Sequence, residues 1–254
     1  AADVTIHVLQ ADALRFTTIF RHHIPFEQLP QIWKCLWEFI KLSTCIVVRC
    51  FAAYCVDRLM LMPPPADAIR AAPRTAVCLA GVPTRFPLPP EQLGLFLAAL
   101  CDRLNLDAQL IEHTPLCLTR LIRHCPKESV HPFVGDVISS LVAPINAAAK
   151  NPSNPLYSHY LFEALSSAIA LAPELTDAIE AVLWPSLVTI LSNDILEFLP
   201  YTLQIIAQLL DSRPQGTPVP DHYMGIYAPL MTPVLYEEQG NIPAIVRVLC
   251  AFVR

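Results

Sequence analysis

The sequence predicts an all-α fold, an α-solenoid built from antiparallel helix pairs. Three observations carry this. Apolar residues recur at spacings of three and four from end to end, as in Leu196, Leu199, Leu203, Ile206 and Leu210, and each such series marks one face of a helix. The period-two alternation of a half-buried strand is almost absent. Glycine is scarce, at 6 of 254 residues against 25 prolines; an average chain has about 7% Gly and about 5% Pro. So few glycines supply poorly the tight turns of a β-sandwich or barrel.

Helical patterns cover 8–24, 27–42, 44–61, 91–104, 107–124, 128–149, 155–172, 174–191, 193–212, 222–237 and 241–254. Pro25, Pro90 and Pro155 suit a first helical turn, where the missing N–H costs nothing. Asn154 before Pro155, and Asn193 before Asp194, read as N-caps. Pro126, Pro152, Pro173, Pro214 and Pro218 punctuate the connections. Pro132, Pro144, Pro185, Pro200, Pro229 and Pro233 fall inside helical patterns and are expected to kink them.

The second helices of successive pairs begin near 44, 107, 155, 193 and 241. Three of the four separations fit the period of HEAT or armadillo repeats, about 40–47 residues. The expected architecture over 1–254 is therefore a leading helix followed by about five antiparallel HEAT-type pairs. The one wide separation spans a Pro-rich long loop at 62–90, which holds eight of the prolines. A connection of that length inside a solenoid is unusual and points to disorder or function. A compact helical bundle is the structural rival.

Composition excludes several function classes. Residues are 54% apolar and 15% charged, enough for a large core. No two glycines lie closer than nine residues, so no dinucleotide fingerprint, phosphate loop or nucleophile elbow can be written. The longest stretch free of Asp, Glu, Lys and Arg runs over fifteen residues, 222–236, and contains Pro229 and Pro233; a spanning helix needs about 20 apolar residues. No membrane insertion is expected, nor a signal peptide. The first residue is not Met and the last residues continue a helical pattern, so the sequence reads as part of something longer. Nine scattered cysteines with no C-x-x-C read as buried reduced thiols. His113, Cys117, His124 and Cys125 lack the tight ligand pairing of a zinc site, so no metal and no cofactor is expected. A net charge of −5 disfavours nucleic acid as a partner. With no nucleophile motif or carboxylate pair, no enzymatic activity is expected.

Specific blocks resemble the CAS-type exportins of the importin-β superfamily. They are LQADALRFTTIFR at 9–21, KNPSNP at 150–155 with HYLFEA at 159–164, NDILEFLPY at 193–201, and PVLY at 233–236 with GNIPAIVR at 240–247. They come in the family's order, and the chain resembles the middle-to-later part of an array of about twenty HEAT repeats. The resemblance implies a non-enzymatic nuclear export receptor that binds the small GTPase Ran in its GTP form together with importin-α. It also implies shuttling between nucleus and cytoplasm, with nucleoporins as further partners. The 62–90 segment departs from the family by being longer and richer in proline. A HEAT scaffold of another kind, serving a phosphatase or trafficking assembly, would share only the period; an α-helical hydrolase would need a deep polar pocket.

Charge is divided along the chain. Residues 1–127 carry net +3 and 128–254 net −8, and from 151 to 212 there is no Lys or Arg. That run holds Glu163, Glu174, Asp177, Glu180, Asp194, Glu197 and Asp211. It reads either as a solvated acidic surface or as a receptor for a basic partner. Asp194, Glu197, Tyr201, Gln204, Gln208 and Asp211, spaced 3, 4, 3, 4 and 3, form one expected polar stripe on a second helix. The resemblance places second helices on the concave side of the superhelix. Asn193 is expected to cap that helix and Pro200 to bend it, with Ile195, Leu199 and Ile206 pointing into the stack. Lys150, Asn151, Glu163, Asn241 and Arg247, polar members of the matching blocks, are further candidate partner-binding residues.

Overall fold

The structure is a computed structural model describing residues 2–62, 90–107, 110–193 and 195–253. Eleven helices of ten residues or more lie among the described residues: α1 Ala2–Ile19, α2 Leu29–Leu42, α3 Ile46–Met60, α4 Pro90–Leu106, α5 His113–His124, α6 Val134–Lys150, α7 Pro155–Leu171, α8 Thr176–Ser192, α9 Leu199–Asp211, α10 Asp221–Leu230 and α11 Ile242–Val253. No strand occurs among the described residues.

The helices form two layers. In the first, α2, α4, α6 and α8 pack side by side in chain order; in the second, α1, α3, α5, α7, α9 and α11 do the same. Pairs α2–α3, α4–α5, α6–α7 and α8–α9 pack across the layers. The second helices start at Ile46, His113, Pro155, Leu199 and Ile242, 67, 42, 44 and 43 residues apart, which is the expected repeat. One continuous apolar core runs between the layers, with Leu59, Leu100, Leu121, Leu141, Leu161, Ile206 and Ile245 all buried. The stretches Lys127–Lys150 and Pro173–Ser192 reach membrane-spanning length and hydropathy by composition. Here they contain α6 and α8, first-layer helices whose apolar faces pack on α4, α7 and α9.

Local chemistry sets the boundaries. Asn154 caps α7, its Oδ1 accepting from the Tyr157 amide at 3.0 Å, with Pro155 in the first turn as expected. Pro144 and Pro185 lie inside α6 and α8, each removing one rung, and Pro229 lies inside α10. Gly94 is required by packing: a Cβ there would stand 2.7 Å from the Phe133 ring. Where the chain turns between α9 and α10, Gly216 takes φ +80.

Several expectations need correcting. The pattern at 222–237 breaks at Leu230, because Thr232 before Pro233 is held extended at ψ 134. Pro132 and Pro233 open short 3-10 turns and kink no α-helix. Asn193 closes α8, its amide donating to the Thr189 carbonyl at 3.1 Å, and caps nothing ahead. The next helix starts only at Leu199, so Pro200 occupies a first turn and bends nothing. Phe198, just ahead of that helix, is buried, its ring meeting Phe162 edge-on at 5.3 Å between centroids. Ile206 points into the stack, with Ile195 and Leu199 partly buried against it. Of the expected 62–90 loop, 63–89 lies outside the described residues.

Candidate partner-binding surface

Helices in the second layer share one solvent-facing side, and from α3 onward polar groups tie each helix to the next across it. At the first joint, Arg120 Nε on α5 donates to Asp57 Oδ1 on α3 at 2.8 Å. Arg49 Nε on α3 reaches Asp107 Oδ2, just past α4, at 2.9 Å, and its Nη2 pairs with Oδ1. At the second joint, Arg123 on α5 donates to Glu163 Oε1 at 2.7 Å and Ser167 Oγ at 2.8 Å, both on α7. Among the described residues the third joint holds no ion pair. His159 Nδ1 meets Tyr201 Oη at 3.2 Å, Ser166 Oγ donates to Gln208 Oε1 at 2.7 Å, and Gln208 Nε2 donates to the Ser166 carbonyl at 2.8 Å. At the fourth, Arg247 on α11 lies 4.0 Å from Asp211 on α9.

These ties decide what the expected stripe can do. Asp194 lies outside the described residues. Glu197 is exposed, but it sits in the turn before α9 and so is not on the helix. Tyr201 is half-buried, stacked on Phe162 at 5.1 Å and 12°. Gln208 is spent on Ser166, and Asp211 faces Arg247. Of the five described residues, Glu197, Gln204 and Asp211 are exposed, while half-buried Tyr201 and Gln208 also tie neighbouring repeats together. Lys150 and Asn151 are exposed where α6 ends, and Arg247 is exposed on α11. Glu163 is half-buried and paired with Arg123. Asn241 is buried before α11, its carbonyl accepting from Ile245 at 3.0 Å, and presents no side chain to a partner.

Side chains from outside the Lys- and Arg-free run pair with most of its acids. Besides Glu163, Glu174 pairs with His131, which holds its carboxyl below the usual range. Asp177 and Glu180 share Arg213 at 2.8 and 2.5 Å, and buried Glu180 also accepts from Tyr223 Oη. Three arginines thus stand against the seven carboxylates of the run, so more than half of its formal charge is left for a partner.

In the first half, burial pushes the Cys55 and Cys101 thiols up to about 11 and Cys125 to about 12, as befits packed thiols. Burial holds His113 below the ordinary histidine range; burial, then the Arg120 and Arg123 guanidiniums, does the same for His124. Among the described residues no three His, Cys, Asp or Glu side chains gather as a metal site.

A family model, the C-terminal part of the CAS/CSE protein, matches residues 107–254. The chain belongs to the CAS/CSE family. It is 32% identical over 249 residues to Exportin-2 of Oreochromis niloticus, covering 96% of this chain and 24% of that protein. Against Exportin-2 of Bos taurus it is 30% identical over 254 residues, with the same coverage. The chain therefore spans about a quarter of the length of these relatives. Among solved structures, the exportin Cse1 in its cargo-free, cytoplasmic state superposes with a TM-score of 0.69 at 23% identity, over 97% of this chain and 24% of that one. The fold is accordingly the HEAT-repeat α-solenoid expected from the spacing of the second helices.

The ties that Arg49, Asp57, Asp107, Arg120, Arg123 and Arg213 make were not visible in the sequence alone. Their signal is the repeat offset: Asp57 and Arg120 are 63 residues apart, and His159–Tyr201 and Ser166–Gln208 are both 42 apart.

Proposed function

We propose that this chain is the repeat segment of a nuclear export receptor that helps bind Ran in its GTP form and importin-α, returning importin-α from nucleus to cytoplasm. The observation that carries the reading is the family match, which runs with the two-layer array over 107–254. The mechanism is surface wrapping without catalysis. Each repeat touches only its neighbours, so the array bends by small changes at many joints and spreads modest contacts over several repeats. Glu197 and Gln204, exposed and outside the inter-helix ties, supply a weak acidic docking point for a basic partner surface.

The test is assembly of the ternary complex by the full-length chain that carries these repeats. Purified Ran·GTP and importin-α are expected to be retained together, and neither partner alone as strongly. Glu197→Lys with Gln204→Lys is expected to slow association several-fold at low salt and to have a smaller effect at high salt, since peripheral charges act mainly on the on-rate. Failure of the unsubstituted chain to retain importin-α with Ran·GTP would end the reading.

A further inference from the structure

Arg213 is the single Lys or Arg between positions 151 and 246. It lies in the turn between α9 and α10 and serves two carboxylates of α8. Its Nη2 donates to Asp177 Oδ1 at 2.8 Å and to Glu180 Oε2 at 2.5 Å, and its Nε donates to Glu180 Oε1 at 3.2 Å. The Asp177 side chain is 88% exposed, so that pair is weak. Glu180 is 4% exposed, and a buried carboxylate that loses its cation is costly. The same carboxylate fastens α10 to α8. It accepts from Tyr223 Oη, and His222 Nε2 lies 3.4 Å from it. Trp184 on α8 meets the His222 and Tyr223 rings edge-on at 4.4 and 4.7 Å. The docking of α10 therefore depends on one cation with no substitute nearby in the chain.

An exposed hydroxyl follows that cation by four residues. Pro214 to Thr217 form a turn in which the Thr217 amide donates to the Pro214 carbonyl at 3.2 Å and Gly216 takes φ +80. Thr217 Oγ donates to the same carbonyl at 2.7 Å. Residues 214–218 are all exposed. Pro218 biases Thr217 toward an extended backbone, and Pro220 is extended at ψ 144. Protein kinases take their acceptor from an exposed, extended segment. Those that are proline-directed offer no acceptor to the N–H of the following residue, and proline has no such N–H to strand. Thr217–Pro218 meets both demands. The two other Thr–Pro steps differ: Thr114 is buried, and exposed Thr232 is followed by Glu237 and Glu238 with no Lys or Arg from 214 to 246.

We propose that Thr217 is the acceptor for a proline-directed protein kinase, and that its phosphate draws Arg213 from Glu180 and loosens α10 from α8. In the transfer, Thr217 Oγ attacks the γ-phosphorus of ATP as the bond from that phosphorus to the β-phosphate oxygen breaks. ADP leaves, and the hydroxyl proton passes to the general base of the kinase. The modified oxygen has no hydrogen to give the Pro214 carbonyl, so that bond is lost. The phosphate carries about −1.5 to −2 charge at neutral pH and offers three strong acceptor oxygens. A guanidinium pairs with phosphate through two parallel bonds, so Arg213, next to Pro214, is its natural partner.

The test uses the full-length protein, a purified proline-directed kinase and Mg·ATP, with phosphate located by mass spectrometry. Thr217 is expected to be modified, and Pro218→Ala, at an exposed turn position, to lose the modification with its circular dichroism unchanged. Amide exchange in the phosphorylated protein is expected to quicken about tenfold in α10 and around Glu180 in α8, and to stay unchanged in α5. Arg213→Gln should quicken α10 without phosphate and leave little for phosphate to add. No phosphate on Thr217, modification indifferent to Pro218, or unchanged exchange in phosphorylated α10 would overturn the proposal. So would an equal effect from phosphate on Thr232 in the Thr217→Val protein, which would make the response one of general charge and not of Arg213.

Discussion

The joint between α3 and α5 and the joint between α7 and α9 do the same task with different chemistry. The first is charged: Asp57, 4% exposed, pairs with Arg120, 26% exposed. The second is neutral, held by Gln208 with Ser166, by His159 with Tyr201 and by the Tyr201–Phe162 stack. The cause lies in the sequence, because no Lys or Arg occurs from 151 to 212 and α7 and α9 must meet without one. A charged buried joint is brittle, since losing one partner strands the other in low dielectric. A neutral joint loses only its own modest bonds. Resistance to distortion should therefore be uneven along the array, stiff near α3–α5 and graded near α7–α9.

The largest effect that would break this comparison is at Asp57. Asp57→Ala strands Arg120 beside the core and is expected to cost about 3 kcal/mol, measured by denaturant unfolding with hydrogen exchange resolved onto α3 and α5. Replacing both partners, Asp57→Leu with Arg120→Met, should recover most of the loss, because well-packed apolar groups can substitute for a buried pair. If the double variant is as unstable as the single one, the penalty is not that of a stranded charge.

Alkaline pH should separate the two regions next. Eight of nine cysteines lie in the first half, and burial raises Cys55 and Cys101 to about 11 and Cys125 to about 12. Folded values above the unfolded 9.0 mean the stabilisation is complete below pH 9 and is lost as pH rises through about 11. Each such thiol contributes a slope of about 1.4 kcal/mol per pH unit in that window. Exchange protection should fall first in α3, α4 and α5, and in α9 and α11 only later. Simultaneous loss across all helices would show the array to unfold as one unit, contrary to its neighbour-only packing.

At the neutral joint, Gln208→Ala is expected to cost only about 1 kcal/mol, because both Ser166 groups can turn to water at a half-exposed site. Exchange on α7 and α9 measures it. A loss as large as that of Asp57→Ala would remove the distinction between the joints.

What the sequence made legible follows from the range of the forces. Helix placement and pairing could be read because apolar period and proline position act within a few residues, as at Asn154 and Pro155. The start of α9 was misread because capping residues look alike from either side: Asn193 ends one helix where it was expected to begin another. The bonds that Tyr201 and Gln208 make between repeats were not legible, because spacing on one helix says nothing of the neighbour 42 residues away, where His159 and Ser166 meet them. Such inter-repeat contacts become legible only once the repeat offset is known.

The smallest effect sharpens the comparison at the joint between its two poles. Arg123 and Glu163 tie α5 to α7 with side chains 42% and 27% exposed. A pair this open is worth at most about 1 kcal/mol, after allowing for solvent screening and the entropy of holding two long side chains. Raising salt from about 0.05 to about 0.5 M shortens the screening length to roughly 4 Å, still longer than the contact but short enough to weaken it. Protection of α7 should therefore drop by about 0.5 kcal/mol or less, while the Gln208–Ser166 side of the same helix, being neutral, stays unchanged. Serine 167 keeps Arg123 in place through its 2.8 Å bond to Nε, so the loss is partial and reversible. Salt that loosened α9 as much as α7 would mean that long-range charge, and not the local pair, governs this joint.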